Sequence, residues 1–243
     1  MSEPSHPPVE PPTENRLLGG RIVLRQPARG YRAGLDAALL AAACDARAGD
    51  RVIEAGCGAG GVFTGIERDP EALALAQGNV ALNGMTAQVS VLSGDVTAGF
   101  RALDLPPFDA ALANPPFFDD VRALRAPAPE KTGAWMADGG LAAWTGFLLK
   151  AVREGGSVTL IHRADRLGDL LSGLGISAGS FQVRGIHPFA DAPAKRVLVR
   201  AIKTGKAPLR LLPPLVLHGR EGTEKHTPEA EAILRGAVSL PWL

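Results

Sequence analysis

The stretch that decides the fold is RVIEAGCGAG at residues 51–60, where a short apolar run leads directly into a glycine-rich turn. The run predicts a β-strand because it is short, apolar and closed by glycines. Gly56, Gly58 and Gly60 let the backbone of the turn approach a ligand closely, although a tight strand-to-helix turn without a ligand has the same pattern. The stretch therefore predicts a strand with a candidate binding site at its carboxyl end.

Strands and helices alternate on both sides of this turn. Further strands are predicted at 21–26, 62–67, 88–92, 108–113 and 157–162, and helices at 36–44, 70–83, 141–152 and 166–174. Asp36 and Asp69 are predicted N-caps of the first two helices. Two β-rich runs at 181–187 and 196–202 predict a hairpin. The alternation favours a Rossmann-like α/β fold, with a mostly parallel sheet and an antiparallel C-terminal hairpin.

The domain organisation follows from composition. Residues 1–18 carry five prolines and almost nothing apolar, which predicts a disordered tail. Residues 19–243 have the length and hydrophobic content of a single α/β domain. We expect a single domain with a disordered N-terminal tail, and a monomer is assumed.

Charge and cysteine usage exclude several classes of protein. The net charge is only +1, so any nucleic-acid partner must be bound by local clusters. The two cysteines stand singly, without zinc-ligand spacing, so we expect no metal and no disulfide framework. No apolar run reaches the ~20 residues that span a bilayer. We therefore expect a cytoplasmic protein without a membrane partner.

Acidic residues stand within or just after three predicted strands. Glu54 lies in the strand before the glycine turn, Glu67 ends the next strand, and Asp95 follows the one after that. The carboxyl ends of parallel strands meet at one edge, so these side chains are expected to converge on a crevice. Glu67 suits two ribose hydroxyls, or equally a solvated position beside Arg68. Asp95 suits an adenine amino group, or it simply ends a strand.

The motif Asn114-Pro115-Pro116-Phe117 follows the predicted strand 108–113. The Asn114 amide oxygen and the Pro115 carbonyl could each accept one hydrogen of a planar amino group. Phe117 then offers a flat face for a base. The plainer interpretation is a turn, because Asn-Pro is an ordinary turn initiator. Because the glycine turn and the acidic strand ends occur in the same chain, the motif favours an enzyme that transfers a group to nitrogen.

Taken in order, these motifs resemble those of class I S-adenosylmethionine-dependent methyltransferases. Residues 30–40, 193–200 and 227–231 further resemble the bacterial tRNA adenine-N6 methyltransferases that modify the adenosine beside the anticodon of a valine tRNA. The resemblance implies S-adenosylmethionine as cofactor and tRNA as partner. It implies cofactor-binding roles for Glu54, Gly56, Gly58, Gly60, Glu67, Asp95 and Asn114, catalytic roles for Asn114, Pro115 and Phe117, and substrate-binding roles for Phe117, Lys195 and Arg196.

One departure from this pattern concerns the first crossover. Only seven positions lead from Gly60 to Glu67, whereas a glycine fingerprint usually meets its ribose-binding acid about 20 residues on. Either the chain has lost a segment between Gly60 and Val62, or the sequence as written omits one, or the local topology differs. We expect the first crossover helix to be missing, cofactor binding to be weak and part of one sheet face to be uncovered.

Other functions remain open from the sequence. A guanine N2 of ribosomal RNA or a glutamine amide in a protein would use the same motif, but Phe117 and the Gly34-Leu35-Asp36 element favour nucleic acid. A catalytically inactive RNA-binding homologue would explain the short crossover. A nicotinamide oxidoreductase has no use for residues 114–117. His162, at a predicted strand end, could line the acceptor side, although a plain polar strand end is the favoured interpretation.

Overall fold

The computed structural model describes residues 11–28, 34–56, 62–117, 140–220 and 224–242. The strands in these ranges are β1 Thr13–Leu17, β2 Ile22–Gln26, β3 Arg51–Ala55, β4 Val62–Glu67, β5 Val89–Ser93, β6 Phe108–Ala113, β7 Val152–Arg163, β8 Ala178–His187, β9 Arg196–Lys203 and β10 Arg210–Val216. The α-helices there are α1 Leu35–Ala42, α2 Pro70–Leu82, α3 Gly140–Ala151, α4 Leu167–Leu174 and α5 Pro228–Leu234.

Eight strands form one sheet in the order β10-β8-β9-β7-β6-β3-β4-β5. Every neighbouring pair is parallel except the two that involve β9, which runs antiparallel to both β7 and β8. The Rossmann-like architecture and the antiparallel C-terminal hairpin are therefore confirmed. The carboxyl ends of β3, β4, β6 and β7 and the start of β9 lie at the same edge of the sheet.

Apolar clusters cover both faces of the sheet. Neighbouring residues of a strand point to opposite faces, and in β3 Ile53 belongs to one cluster and Val52 to the other. The Ile53 cluster is covered by α3 and α4, whose Phe147 and Leu170 are fully buried. The Val52 cluster includes residues of α1 and α5, with α2 packed at its border. The central strands β3 and β6 are thus held rigidly between two layers.

The start of α1 differs from the expected cap. The helix begins at Leu35, its N-cap position is Gly34, and no side chain caps it. Asp36, predicted as the N-cap, lies in the first turn, and its Oδ2 accepts a hydrogen bond of 3.0 Å from Nε of Arg196 on β9. That N-cap prediction was wrong because the carboxylate serves a tertiary contact. Asp69 caps α2 as expected, accepting from the amides of Glu71 and Ala72.

The predicted disordered tail is too long at its C-terminal end. Thr13–Leu17 forms β1, which pairs with β2 in an antiparallel hairpin. The hairpin needs little apolar burial because the side-chain amides of Asn79 on α2 and of Asn83, the C-cap residue of α2, hydrogen-bond to the backbone of β2. A polar strand is therefore held by hydrogen bonds that composition does not show. Residues 1–10 lie outside the described residues.

β3 and β4 are parallel neighbours, and only six positions, 56–61, separate them. Residues 57–61 of this connection lie outside the described residues, so the missing crossover helix stays a prediction from the sequence. A right-handed crossover would lie on the α2 face, where Val52 and Phe63 are only 2% and 4% exposed. The expectation that this face is uncovered was therefore wrong at these two residues, which pack in one cluster with Leu39 and Leu40 of α1.

Candidate active site

The carboxyl edge of the sheet gathers the described site residues. Gly56 follows β3, Glu67 ends β4 and Asn114 follows β6, while Asp95 comes two positions after β5. Backbone hydrogen bonds from Gly56 N to Ile66 O, 3.1 Å, and from Gly94 N to Glu67 O, 3.0 Å, continue the strand pairing into the edge. Gly58 and Gly60 lie outside the described residues. The remaining predicted groups share one edge, as parallel strands require.

The backbone at Gly56 requires glycine. Its φ is +85°, a left-handed value that side chains disfavour. A Cβ placed there would lie 3.7 Å from Cη2 of Trp144 on α3, so the indole forms a wall beside the turn. Sequence reasoning missed Trp144, because nothing in its own helix distinguishes it from an ordinary core residue.

Glu54 is a buried carboxylate in a central strand. It is 6% exposed and pairs in register with Gly65 of β4 and Leu112 of β6. It lies two positions before Gly56, in the strand that leads into the glycine turn. Nearby Cys44 is a poor nucleophile, because burial raises the pKa of its thiol and the charges of Asp45 and Glu54 raise it further.

Glu67 and Asp95 are already oriented by local hydrogen bonds. Oε1 of Glu67 accepts from the Asp69 amide at 2.8 Å. Oδ1 of Asp95 accepts from both the amide and the hydroxyl of Thr97, each at 2.7 Å. Burial alone would raise the pKa of Asp95, but these hydrogen bonds and the charge of Arg68 lower it overall. Asp95 is therefore ionised at neutral pH and can accept hydrogen bonds.

The Asn114-Pro115-Pro116-Phe117 motif begins directly after β6, which lies between β3 and β7. Pro115 is buried, and Asn114 and Phe117 are half-buried. The strand before the motif is almost wholly buried, so its packing restrains the position of the first residue of the motif. The motif is thus held at the edge where the acidic side chains lie.

Phe117 contacts two residues from other elements. His162, at the end of β7, is 1% exposed, and its ring centroid lies 5.0 Å from that of Phe117 at an interplanar angle of 90°. Cζ of Arg196 lies 4.5 Å from the centroid of the Phe117 ring. The sequence suggested His162 only weakly, through its place at a strand end. It gave no indication that Asp36 joins this group through Arg196.

Lys195 and Arg196 are predicted to bind substrate phosphates. Arg196 begins β9 and Lys195 directly precedes it, on the same edge of the sheet. Lys195 is exposed, and its backbone is fixed by hydrogen bonds to Ile186 and Ala164. Nη1 of Arg196 donates to the Lys195 carbonyl at 3.1 Å. A phosphate role stays a prediction for both residues, although Arg196 already has contacts within the protein.

In the described ranges, no three His, Cys, Asp or Glu side chains cluster in a way that would hold a metal ion. None of the described helices has both the length and the hydropathy that a membrane crossing demands.

Neither a family model nor a curated protein sequence matches the chain, but solved structures do. A predicted O-methyltransferase from Agrobacterium tumefaciens is 26% identical, with a TM-score of 0.68, over 84% of this chain and 98% of that one. The 16S rRNA N2-G1207 methyltransferase of T. thermophilus, in complex with AdoMet and guanosine, is 19% identical with a TM-score of 0.54, over 82% of this chain and 52% of that one.

A third structure is described as a putative class I S-adenosylmethionine-dependent methyltransferase from Listeria monocytogenes. It is 13% identical with a TM-score of 0.51, over 73% of this chain and 62% of that one. The chain has the fold of the class I S-adenosylmethionine-dependent methyltransferases.

Proposed function

We propose that the protein is an S-adenosylmethionine-dependent N-methyltransferase that methylates N6 of an adenine in tRNA, with the anticodon-loop adenosine of a valine tRNA as its target. The observation that carries this proposal is the placement of residues 114–117. They follow a buried central strand, and the aromatic ring of Phe117 is held at the site edge by His162 and Arg196.

The described residues fit the cofactor. Gly56 has the left-handed backbone that a close approach needs, and the carboxylates of Glu67 and Asp95 lie at the neighbouring strand ends. Glu54, Glu67 and Asp95 would hold it together with Gly56 and Asn114, and Gly58 and Gly60 are proposed to join them. When bound, S-adenosylmethionine supplies an electrophilic methyl group on a sulfonium.

Asn114 and Pro115 act on the acceptor. The adenine amine is a weak nucleophile because its lone pair is delocalised into the ring. The Asn114 side-chain oxygen and the Pro115 carbonyl would accept the two N6 hydrogens, which favours a pyramidal nitrogen and stabilises its developing positive charge. The surplus proton leaves to water after transfer, so no strong general base is required.

Phe117 positions the base. A base that has turned out of its loop can stack on an aromatic ring, as bases do in single-stranded RNA recognition. The half-buried ring of Phe117 stands three residues after Asn114. Stacking there would hold N6 beside the two acceptor oxygens, and such positioning supplies much of the rate.

The number of acceptor oxygens favours nitrogen over oxygen as the methyl acceptor. The Agrobacterium neighbour is described as a predicted O-methyltransferase. A hydroxyl carries a single hydrogen, whereas an amino group carries two. The paired oxygens of Asn114 and Pro115 would therefore be only half used by a hydroxyl acceptor.

Three alternatives share the same fold. A ribosomal RNA guanine N2 or a protein glutamine amide also presents two N–H hydrogens, and Phe117 favours a planar base over the amide. An inactive RNA-binding homologue would bind tRNA without transferring a methyl group. The short connection between β3 and β4 is the feature that favours this last alternative.

The position of the transferred methyl group separates these possibilities. RNA products are digested to nucleosides, and the peptide is analysed for label directly. The protein is incubated with labelled S-adenosylmethionine at saturating concentration and one of three acceptors: a valine tRNA transcript, ribosomal RNA or a glutamine peptide. The proposal predicts N6-methyladenosine from the tRNA. Label in N2-methylguanosine or in the peptide would overturn the assignment of the acceptor, and tRNA binding without label would indicate the inactive homologue.

A further inference from the structure

We propose that Arg196 and Asp36 are positioning residues that fix the Phe117 ring for the acceptor base. The inference rests on the proposed function and extends it to residues outside the catalytic motif. Arg196 lies over the Phe117 ring, and Asp36 holds Arg196 through its Nε.

The contact between Arg196 and Phe117 is a cation–π interaction. Cζ of Arg196 is 4.5 Å from the ring centroid, within the ~6 Å over which such attraction acts. The side chains of Arg196 and Asp36 are 31% and 18% exposed. Their partial burial reduces screening by water, so the ion pair restrains the guanidinium more firmly than an exposed pair would.

The ring is held by elements that are distant in sequence. Asp36 belongs to α1 and Arg196 to β9, and they are 160 positions apart. His162 of β7 meets the ring at 90° and is itself buried. Three elements therefore determine where the Phe117 ring lies, so its position depends on the whole sheet edge.

This arrangement gives Arg196 a different role from Lys195. Nε of Arg196 donates to Asp36, Nη1 donates to the Lys195 carbonyl, and the guanidinium lies over Phe117. Exposed Lys195 is left as the phosphate ligand of the pair. A misplacement of about 1 Å at a reacting centre can cost ~10²-fold in rate, so release of the Phe117 ring should act on kcat.

The kinetic test compares Arg196→Ala, Arg196→Lys and Asp36→Asn, with Arg51→Ala as the matched control, because Arg51 makes the same kind of contact with the ring of Phe108 at the opposite edge of the sheet. Arg196→Ala and Asp36→Asn should lower kcat by about 10- to 100-fold while KM for tRNA stays within a few fold and the salt dependence of binding is unchanged. Arg196→Lys should not restore kcat, because an ammonium lacks the planar fork. A flattened salt dependence with normal kcat in Arg196→Ala would make Arg196 a phosphate ligand and overturn the proposal.

A second test does not depend on methyl transfer. The protein is labelled with fluorophenylalanine, and Phe117→Leu assigns the Phe117 resonance among the eight phenylalanines. In the substrate-free protein, Arg196→Ala and Asp36→Asn should shift or broaden that resonance and leave the other phenylalanines unmoved. An unchanged Phe117 resonance in a folded variant would contradict the positioning role, whereas absence of activity with a shifted resonance would contradict only the proposed function.

Discussion

Asn114 is the residue on which the proposed chemistry depends most. Its amide follows β6 and would act on the acceptor amine, so Asn114→Ala should reduce methyl transfer by about 10²- to 10³-fold, the cost of losing one aligned polar group at a developing charge. Cofactor affinity should change by only a few fold. Single-turnover methylation and cofactor titration on the same preparation give both values, and unchanged turnover would remove Asn114 from the mechanism.

Lys195 is predicted to contact a phosphate of the tRNA. It is exposed and lies immediately before β9, on the same edge as the proposed site. Lys195→Ala should weaken tRNA binding and reduce the salt slope by about one contact. Binding measured across a range of salt concentrations tests this, with cofactor affinity as the control. An unaltered slope would leave Lys195 as an ordinary solvated side chain.

Asp109 lies at the opposite edge of the sheet, and its hydrogen bonds predict that the stability of the fold depends on pH. Its Oδ2 accepts from the Arg51 amide at 2.8 Å and its Oδ1 from Arg153 Nε at 2.7 Å. The Arg51 amide and then Arg153 lower the pKa of Asp109. A lowered pKa stabilises the fold above the unfolded value of about 3.9, and this contribution is lost as the pH falls through the folded pKa.

Asp109→Asn should therefore be less stable than the unchanged protein at neutral pH, and the difference should shrink below about pH 4. Denaturant unfolding at several pH values measures it. Asp104→Asn is the matched control, because Asp104 is exposed. A stability difference that is constant from neutral to acid pH would contradict this account of Asp109.

Some site residues are indicated by the sequence around them, and others only by contacts in the folded protein. The place of Asn114, Pro115 and Phe117 at the sheet edge could be predicted because one short motif after a strand carries them, and their roles stay predictions. Asp36 and His162 could not be placed, because their roles depend on tertiary contacts with Arg196 and Phe117.

Among the elements, the buried ones were the most predictable. β6 has the predicted bounds because its apolar run is closed by Pro107 and Asn114, and α2 begins at the predicted cap, Asp69. β1 was missed because it is stabilised by hydrogen bonds and not by an apolar pattern. Asp36 was misread as a cap because a capping residue and a partner for a distant arginine have the same local sequence.

A test at the scale of elements concerns the hydrogen bonds that hold the N-terminal hairpin against α2. Asn83, the C-cap residue of α2, accepts from the Val23 amide at 2.9 Å and donates to its carbonyl at 2.7 Å. Asn79 contacts the backbone of Arg25 in the same way. Asn83→Ala should speed hydrogen exchange at the Val23 amide by about fivefold or more, the value of one net hydrogen bond. Gln77→Ala, which loses a contact with Val91 instead, should leave that exchange rate unchanged.

At the scale of the whole molecule, we predict that the short connection between β3 and β4 limits cofactor binding. Six positions leave no room for the helix whose N-terminus would normally face the ligand, so we predict weak affinity for S-adenosylmethionine. Insertion of a helix of about a dozen or more residues between Gly60 and Gly61 should restore affinity and raise the melting temperature. Calorimetric titration measures affinity in both forms, and Trp144 beside Gly56 provides a fluorescence signal.

Tight binding by the unchanged chain would show that this view of the crossover is wrong. It would also agree with the burial of Val52 and Phe63, which pack in one cluster with Leu39 and Leu40 of α1. Weak binding in both forms would show that residues other than the missing helix limit affinity.

The central claim is methyl transfer to adenine N6 at the Asn114 site. The most direct measurement is single-turnover transfer of a labelled methyl group to a valine tRNA transcript at saturating cofactor, by the unchanged chain, the helix-insertion form and Asn114→Ala in each. The account predicts N6-methyladenosine from both forms, because saturating cofactor offsets the weak affinity of the unchanged chain, and its loss with Asn114→Ala in each. No N6-methyladenosine from either form, or label that persists without Asn114, would contradict it.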